Sequence, residues 1–252
     1  MMRLVLFRRS LLVWLAAAVG VAVPASLGMW QLGRAETKQQ LQAVVVARAN
    51  LPELPADQAL SVGPSDAEAF WHRRVTLVGT WLADQTVFLD NRTMNRRQGF
   101  FVLTPLKEAG TQRLVWVQRG WAPRNFNDRT ALPTVATPGG TVVVQGRMAP
   151  PPSRVYEPGP SEAGVIRQNL DMEAWALQTG WSVSPWVLVQ THPDPSHPND
   201  GLARDWPVPD AGVHKHWGYA VQWFSLSALF AGLFIWFQFI SPRRRDSPSS
   251  SN

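Results

Sequence analysis

The chain has 252 residues, 45% of them apolar, with 13 tryptophans and a net charge of +6, which accommodates one medium domain together with membrane segments. Cysteine is absent, which excludes disulfides, thiol nucleophiles, thiolate zinc sites and cysteine-ligated iron–sulfur clusters, and argues against copper delivery by this chain. The charge sits at the ends: Arg3, Arg8 and Arg9 give +3, Arg243, Arg244, Arg245 and Asp246 give +2, and only +1 remains for everything between, so no basic face is left for nucleic acid.

Residues 11–30 form the first apolar run. It starts behind Arg8 and Arg9 as a signal peptide does, and Ala22-Val23-Pro24-Ala25 offers small residues for cleavage. The run nevertheless continues through Leu27, Met29 and Trp30, longer than an ordinary signal core, and predicts an uncleaved membrane helix. Ala16, Gly20, Pro24 and Gly28 recur every four residues on it, a ridge of small side chains that lets a second helix approach closely. Residues 34–47 extend the helix above the membrane until Pro52 and Pro55 end it, and 51–66 reads as a loop.

From Trp71 onward the pattern changes to short β-branched and aromatic runs separated by turn residues. Strands are predicted at 74–81, 86–90, 100–106, 114–119, 141–147, 165–169 and 186–190, with one helix at 171–179 stopped by Gly180. The fold class expected is a membrane protein in which two transmembrane helices flank a β-rich, antiparallel barrel- or sandwich-like α+β domain. Asp90-Asn91-Arg92 and Gln118-Arg119-Gly120-Trp121-Ala122-Pro123 each read as the end of a strand. Two readings stay open there: the arginines bond strand-end carbonyls while Trp121 covers a barrel end, or paired guanidiniums bind an anionic group or a partner protein. The segment 191–209 carries His192, Asp194, His197, Asp200 and Asp205 among prolines, with no rigid ligand spacing, so no metal site is expected. No nucleophile elbow, phosphate loop, dinucleotide fingerprint or carboxylate pair appears, and the chain does not read as an enzyme.

Residues 217–240 carry no charge and are long enough for a second span. Helical spacing puts His216, Tyr219, Ala220, Trp223 and Ser227 on one stripe. Such rings suit a membrane interface as simple anchors, and equally suit a ligand or partner site. Arginines before the first span and after the second place both termini on the cytoplasmic side, with residues 31–216 across the membrane.

Four stretches now fall in order: Gly28-Met29-Trp30-Gln31-Leu32-Gly33-Arg34 with Lys38; Asp90-Asn91-Arg92 with Gly99 and Pro105; Val117-Gln118-Arg119-Gly120-Trp121-Ala122-Pro123; and His216-Trp217-Gly218-Tyr219-Ala220-Val221-Gln222-Trp223-Phe224. Together they resemble the surfeit-locus family of cytochrome c oxidase assembly factors, from the first span to the second. The family pattern usually has Asn where Gln118 stands. The resemblance implies an integral membrane assembly factor that helps mature subunit I of haem-copper cytochrome oxidase alongside other assembly factors, with bacterial members binding haem a. A bacterial member would lie in the cell inner membrane with residues 1–10 and 241–252 cytoplasmic and the large domain periplasmic. Under this resemblance His216 is the expected axial ligand of haem a, Tyr219 and Trp223 pack on or bond to the macrocycle, and Arg34 or Lys38 meets its propionates. Trp30, Gln31, Arg92, Arg119 and Trp121 are the expected partner contacts. The competing reading is a haem-free scaffold that grips an oxidase assembly intermediate through the spans and the Arg119 turn.

Overall fold

The structure is a computed structural model that describes residues 2–125, 127–128, 131–156, 164–206 and 212–240, with the backbone alone for 2–10. The basic tail at 241–252, the side chains of Arg3, Arg8 and Arg9, and the end of the 191–209 segment lie outside the described residues. The elements in order are α1 (Met2–Ala49), α2 (Ala56–Ser61), α3 (Ala67–Phe70), β1 (Arg74–Trp81), a 3₁₀ turn (Ala83–Gln85), β2 (Val87–Met94), β3 (Arg97–Glu108), β4 (Leu114–Pro123), β5 (Thr141–Ala149), β6 (Ile166–Arg167), α4 (Met172–Thr179), β7 (Val183–Gln190) and α5 (Val213–Ile235), which ends in a π-helical turn (Trp236–Ile240). They divide into two compact units, one of Met1–Ala43 with Val208–Asn252 and one of Val44–Pro207.

The second unit is a closed, barrel-like sheet. Its strands run β1-β5-β7-β4-β3-β2-β6, and a further pairing of β1 with β3 joins the ends of the first five into a ring. Closure is possible because Gly79 stands where β1 meets β3: a Cβ there would run into the Lys107 carbonyl. Alternate residues of all five ring strands point inward, among them Val75, Leu77, Leu106, Val117, Val144 and Trp186, and Leu54, Ala59, Leu60 and Val62 from the α2 region complete the same core. The other face of β4 is also buried, since Trp116 meets Trp175 of α4 with ring centroids 5.0 Å apart. The expected 51–66 loop therefore contains a helix, α2, because Ala59 and Leu60 are drawn into the core. The pairings are antiparallel except β4 with β7 and β2 with β6.

Local signals act as expected in α4, where the Asp171 carboxylate caps the Ala174 N–H at 3.0 Å and Gly180 closes the helix at φ 70°. The two strand ends do not. β2 runs on through Asp90-Asn91-Arg92 by a bulge, with Asn91 at φ 59°, to a hairpin tip at Asn95 and Arg96 (φ 50° and 62°). β4 likewise continues through Gly120-Trp121-Ala122-Pro123, paired with Gly99 to Val102. The glycines that suggested turns are there for close packing: a Cβ on Gly99 would strike the Ala122 carbonyl and the Trp121 indole.

In the first unit, α1 and α5 are both long and apolar enough to cross a membrane. The kink-prone Pro24 stays within α1.

Candidate cofactor site on the helix pair

The two long helices face each other antiparallel. Trp14 packs edge-on against Phe234 with centroids 4.7 Å apart, Gly20 and Gly28 lie against Phe230 and Phe224, and Gln31 reaches His216. The contact stripe on α1 is Pro24, Gly28, Gln31, Ala35 and Lys38, buried or half-buried in turn at the alternating steps of four and three that keep one face toward a neighbour. Gly28 fixes the spacing, since a Cβ there would stand 2.8 Å from the Phe224 ring. Ala16, expected on this ridge, is exposed, and the half-buried Ala17 stands at its position. Pro24 withholds the N–H that would bond the carbonyl four residues back. Beside that gap Ser227 donates from α5 to the Val21 carbonyl at 2.9 Å, a polar tie between spans of the kind that strengthens helix association in lipid.

The facing stripe on α5 is Val213, His216, Ala220, Trp223 and Ser227. Tyr219, expected on it, is 52% exposed. Three residues turn a helix about 300°, so Tyr219 sits roughly 60° round from His216 while Ala220, Trp223 and Ser227 stay within about 40°. Trp30 and Arg34 also lie outward, the former 58% exposed. Lys38 leans over the start of α5, where a Cβ on Gly212 (φ 121°) would be 3.3 Å from its Nζ. The N-cap residue of α5, Gly212, supplies no side-chain cap, so Lys38 stands at the positive end of the helix dipole.

The centre of the site is the hydrogen bond between His216 Nδ1 and Gln31 Oε1, 2.7 Å long. An amide oxygen only accepts, so Nδ1 is the donor, and of the two neutral tautomers this bond selects the one whose lone pair is on Nε2. Among the described residues nothing else bonds to the ring. Gln31, expected to touch a partner, is thus the companion of the histidine. The signal that could have placed Gln31 on the contact face is its position three residues past Gly28 on α1.

Arg92, Arg119 and Trp121, the other expected partner contacts, lie inside the barrel unit. Arg92 is buried and donates to the carbonyls of Ser153 and Gln168 at 2.9 and 2.8 Å, and burial lowers its pKa. Trp121 donates its indole N–H to the Arg92 carbonyl at 2.9 Å. Arg119 donates to Thr137 Oγ1 and the Ala136 carbonyl, both at 2.6 Å, and its guanidinium lies 4.7 Å over Trp81. Burial is the main cause that pushes its pKa down to about 10. In this structure these residues bond loop carbonyls, a threonine hydroxyl and each other. Asp200, from the segment weighed for metal, is engaged by Arg204.

The sequence profile of the SURF1 family matches residues 18–228. A SURF1-like protein of Monosiga brevicollis is 26% identical over 244 residues, 89% of this chain and 86% of its own length. The cytochrome oxidase assembly protein SHY1 of Saccharomyces cerevisiae is 30% identical over 95 residues, 38% of this chain and 24% of the yeast protein. A match that begins within α1, takes in Gln31 and the whole barrel and ends beyond His216 within α5 leaves no major element outside it: the chain belongs to the SURF1 family.

Proposed function

We propose that this chain is a membrane-bound assembly factor for cytochrome oxidase, not a catalyst, and that it holds haem a at His216 for use in subunit I. The observation that carries the reading is the 2.7 Å bond at His216 Nδ1, which leaves Nε2 without a partner among the described residues, on a helix fit to span a membrane. The naming of yeast SHY1 as a cytochrome oxidase assembly protein supports the first half of the proposal.

The residues present fit the group. A neutral imidazole nitrogen at the end of an apolar span suits a haem with a lipid-soluble tail. The cations Lys38 and Arg34 lie on the same end of α1, and Lys38 stands at the start of α5, where propionates would be met by charge and by the positive end of the helix dipole. Trp223, half-buried on the His216 stripe, offers an indole face. Tyr219, turned outward, would serve as an interfacial anchor or a contact for a second protein. His216 would hold the haem through its imidazole, and the bound group would supply the iron destined for the oxidase. In this reading both termini are cytoplasmic and the barrel lies across the inner membrane, following the arginines outside each span. Subunit I and other assembly factors would then meet the exposed outer faces of α1 and α5.

The test is an absorption spectrum of the detergent-purified protein co-expressed with haem a synthesis, beside His216→Ala. A haem a band in the wild type that is lost or shifted in the variant is expected. A colourless wild type from cells that do contain haem a would contradict the haem half and leave a haem-free scaffold that steadies an oxidase intermediate.

A further inference from the structure

We infer that Gln31 is the positioning residue of the site: by accepting from Nδ1 it locks His216 in the tautomer that presents Nε2 to an incoming ligand. The inference rests on the reading of His216 as a haem ligand and adds the device that makes it one. Of the two neutral tautomers of a histidine side chain in water, the one protonated on Nε2 is favoured, and that form has no lone pair to offer from Nε2. A fixed acceptor at Nδ1 reverses the preference, as the hydrogen-bonded companions of metal-ligating histidines do, and raises the basicity of the ligating nitrogen.

The fold sets this acceptor firmly. Gln31 follows Gly28 by one turn, at the point where the Phe224 ring would stand 2.8 Å from a Cβ on Gly28. The helices cannot draw apart without lengthening the 2.7 Å bond between Gln31 and His216. Ala35, fully buried one turn further on, keeps the approach close on the other side. Arg34, three residues along α1 from Gln31, turns outward instead, so the amide alone of these polar groups meets the ring.

The test uses the full chain in detergent with the His216 ring labelled with nitrogen-15. Nitrogen shifts of the haem-free protein report the tautomer, and titration with haem a reports affinity, for wild type, Gln31→Leu and Gln31→Glu. Leu matches the volume without an acceptor, and Glu keeps an acceptor in place. Expected are an Nδ1-protonated ring in the wild type and in Gln31→Glu, a change of the major tautomer in Gln31→Leu, and a loss of haem affinity of about 10- to 100-fold in Gln31→Leu alone. A tautomer unchanged by Gln31→Leu, or a changed tautomer with unchanged haem affinity, would overturn the role of Gln31 while haem binding itself stood. A wild type that takes up no haem a would overturn the ligand reading and this inference with it.

Discussion

Arg119 tests what the buried arginines of the barrel are for. Its guanidinium bonds Thr137 Oγ1 and the Ala136 carbonyl and lies over Trp81, and the residue is 2% exposed. Burial, reinforced by Arg204 and opposed by Asp200, takes its pKa to about 10. At about 1.4 kcal/mol per pH unit, keeping the charge inside costs on the order of 3 kcal/mol. Against this stand two charged hydrogen bonds at roughly 2 kcal/mol each, a cation–π contact of about 1 kcal/mol and three buried methylenes at about 0.8 kcal/mol each. Contacts outweigh burial by about 4 kcal/mol, which Arg119→Ala should forfeit. Arg119→Met retains most of the stem packing and should lose about 2 kcal/mol, with two acceptors left unpaired. For a unit of this size the Ala variant should melt roughly 10 °C lower, and the Met variant about half as far below wild type. The assay is near-ultraviolet circular dichroism of the purified full chain on heating, where Trp81 under the guanidinium gives a tertiary signal. An Ala variant melting within about 2 °C of wild type, or a Met variant no better than Ala, would refute the structural role.

Gly28→Leu should force the helix pair apart, since even a Cβ would lie 2.8 Å from the Phe224 ring; overpacking of this kind costs roughly 1–3 kcal/mol. The same separation should break the Gln31–His216 bond, seen as a changed His216 nitrogen spectrum, and a wild-type spectrum in Gly28→Leu would contradict the packing argument. Glu108 is buried, which on its own would raise its pKa, but the N–H groups of Thr111 and Gly110 and the Thr111 hydroxyl outweigh this and hold it below the ordinary carboxylate value. Because the folded form holds its proton less tightly than the unfolded chain, this stabilisation is full above about pH 4.3 and is lost as pH falls through the lower folded value. Glu108→Gln should flatten that acid limb in a melting series against pH and lower stability at neutral pH by about 1–2 kcal/mol; an unchanged acid limb would show that another group controls it.

What was legible in the sequence follows the range of the forces involved. Asp171 and Gly180 act within a few residues of themselves, so the bounds of α4 were readable, as were the long apolar helices. The expected strands stop at Asp90 and Arg119 because glycine and charge mimic turn chemistry, whereas Gly99 is small so that Trp121 can cross it and Arg92 is a buried residue beside a bulge. Tyr219 falls off the expected stripe because three- and four-residue steps diverge by about 100° around a helix, and Ala220 and Trp223 show where the facing side lies. The pairing of Gln31 with His216 spans 185 residues and depends on how two helices meet, which local spacing does not encode. The parallel neighbours β4 and β7 were hidden for the same reason.

The most direct test of the account is oxidase activity in membranes of cells that lack this chain, restored with wild type, His216→Ala or Arg119→Met at matched protein levels. With the working site on the helix pair, His216→Ala should leave oxidase activity low while Arg119→Met, once folded, restores it. Full restoration by His216→Ala together with failure of a stably folded Arg119→Met would contradict it and move the site to the barrel.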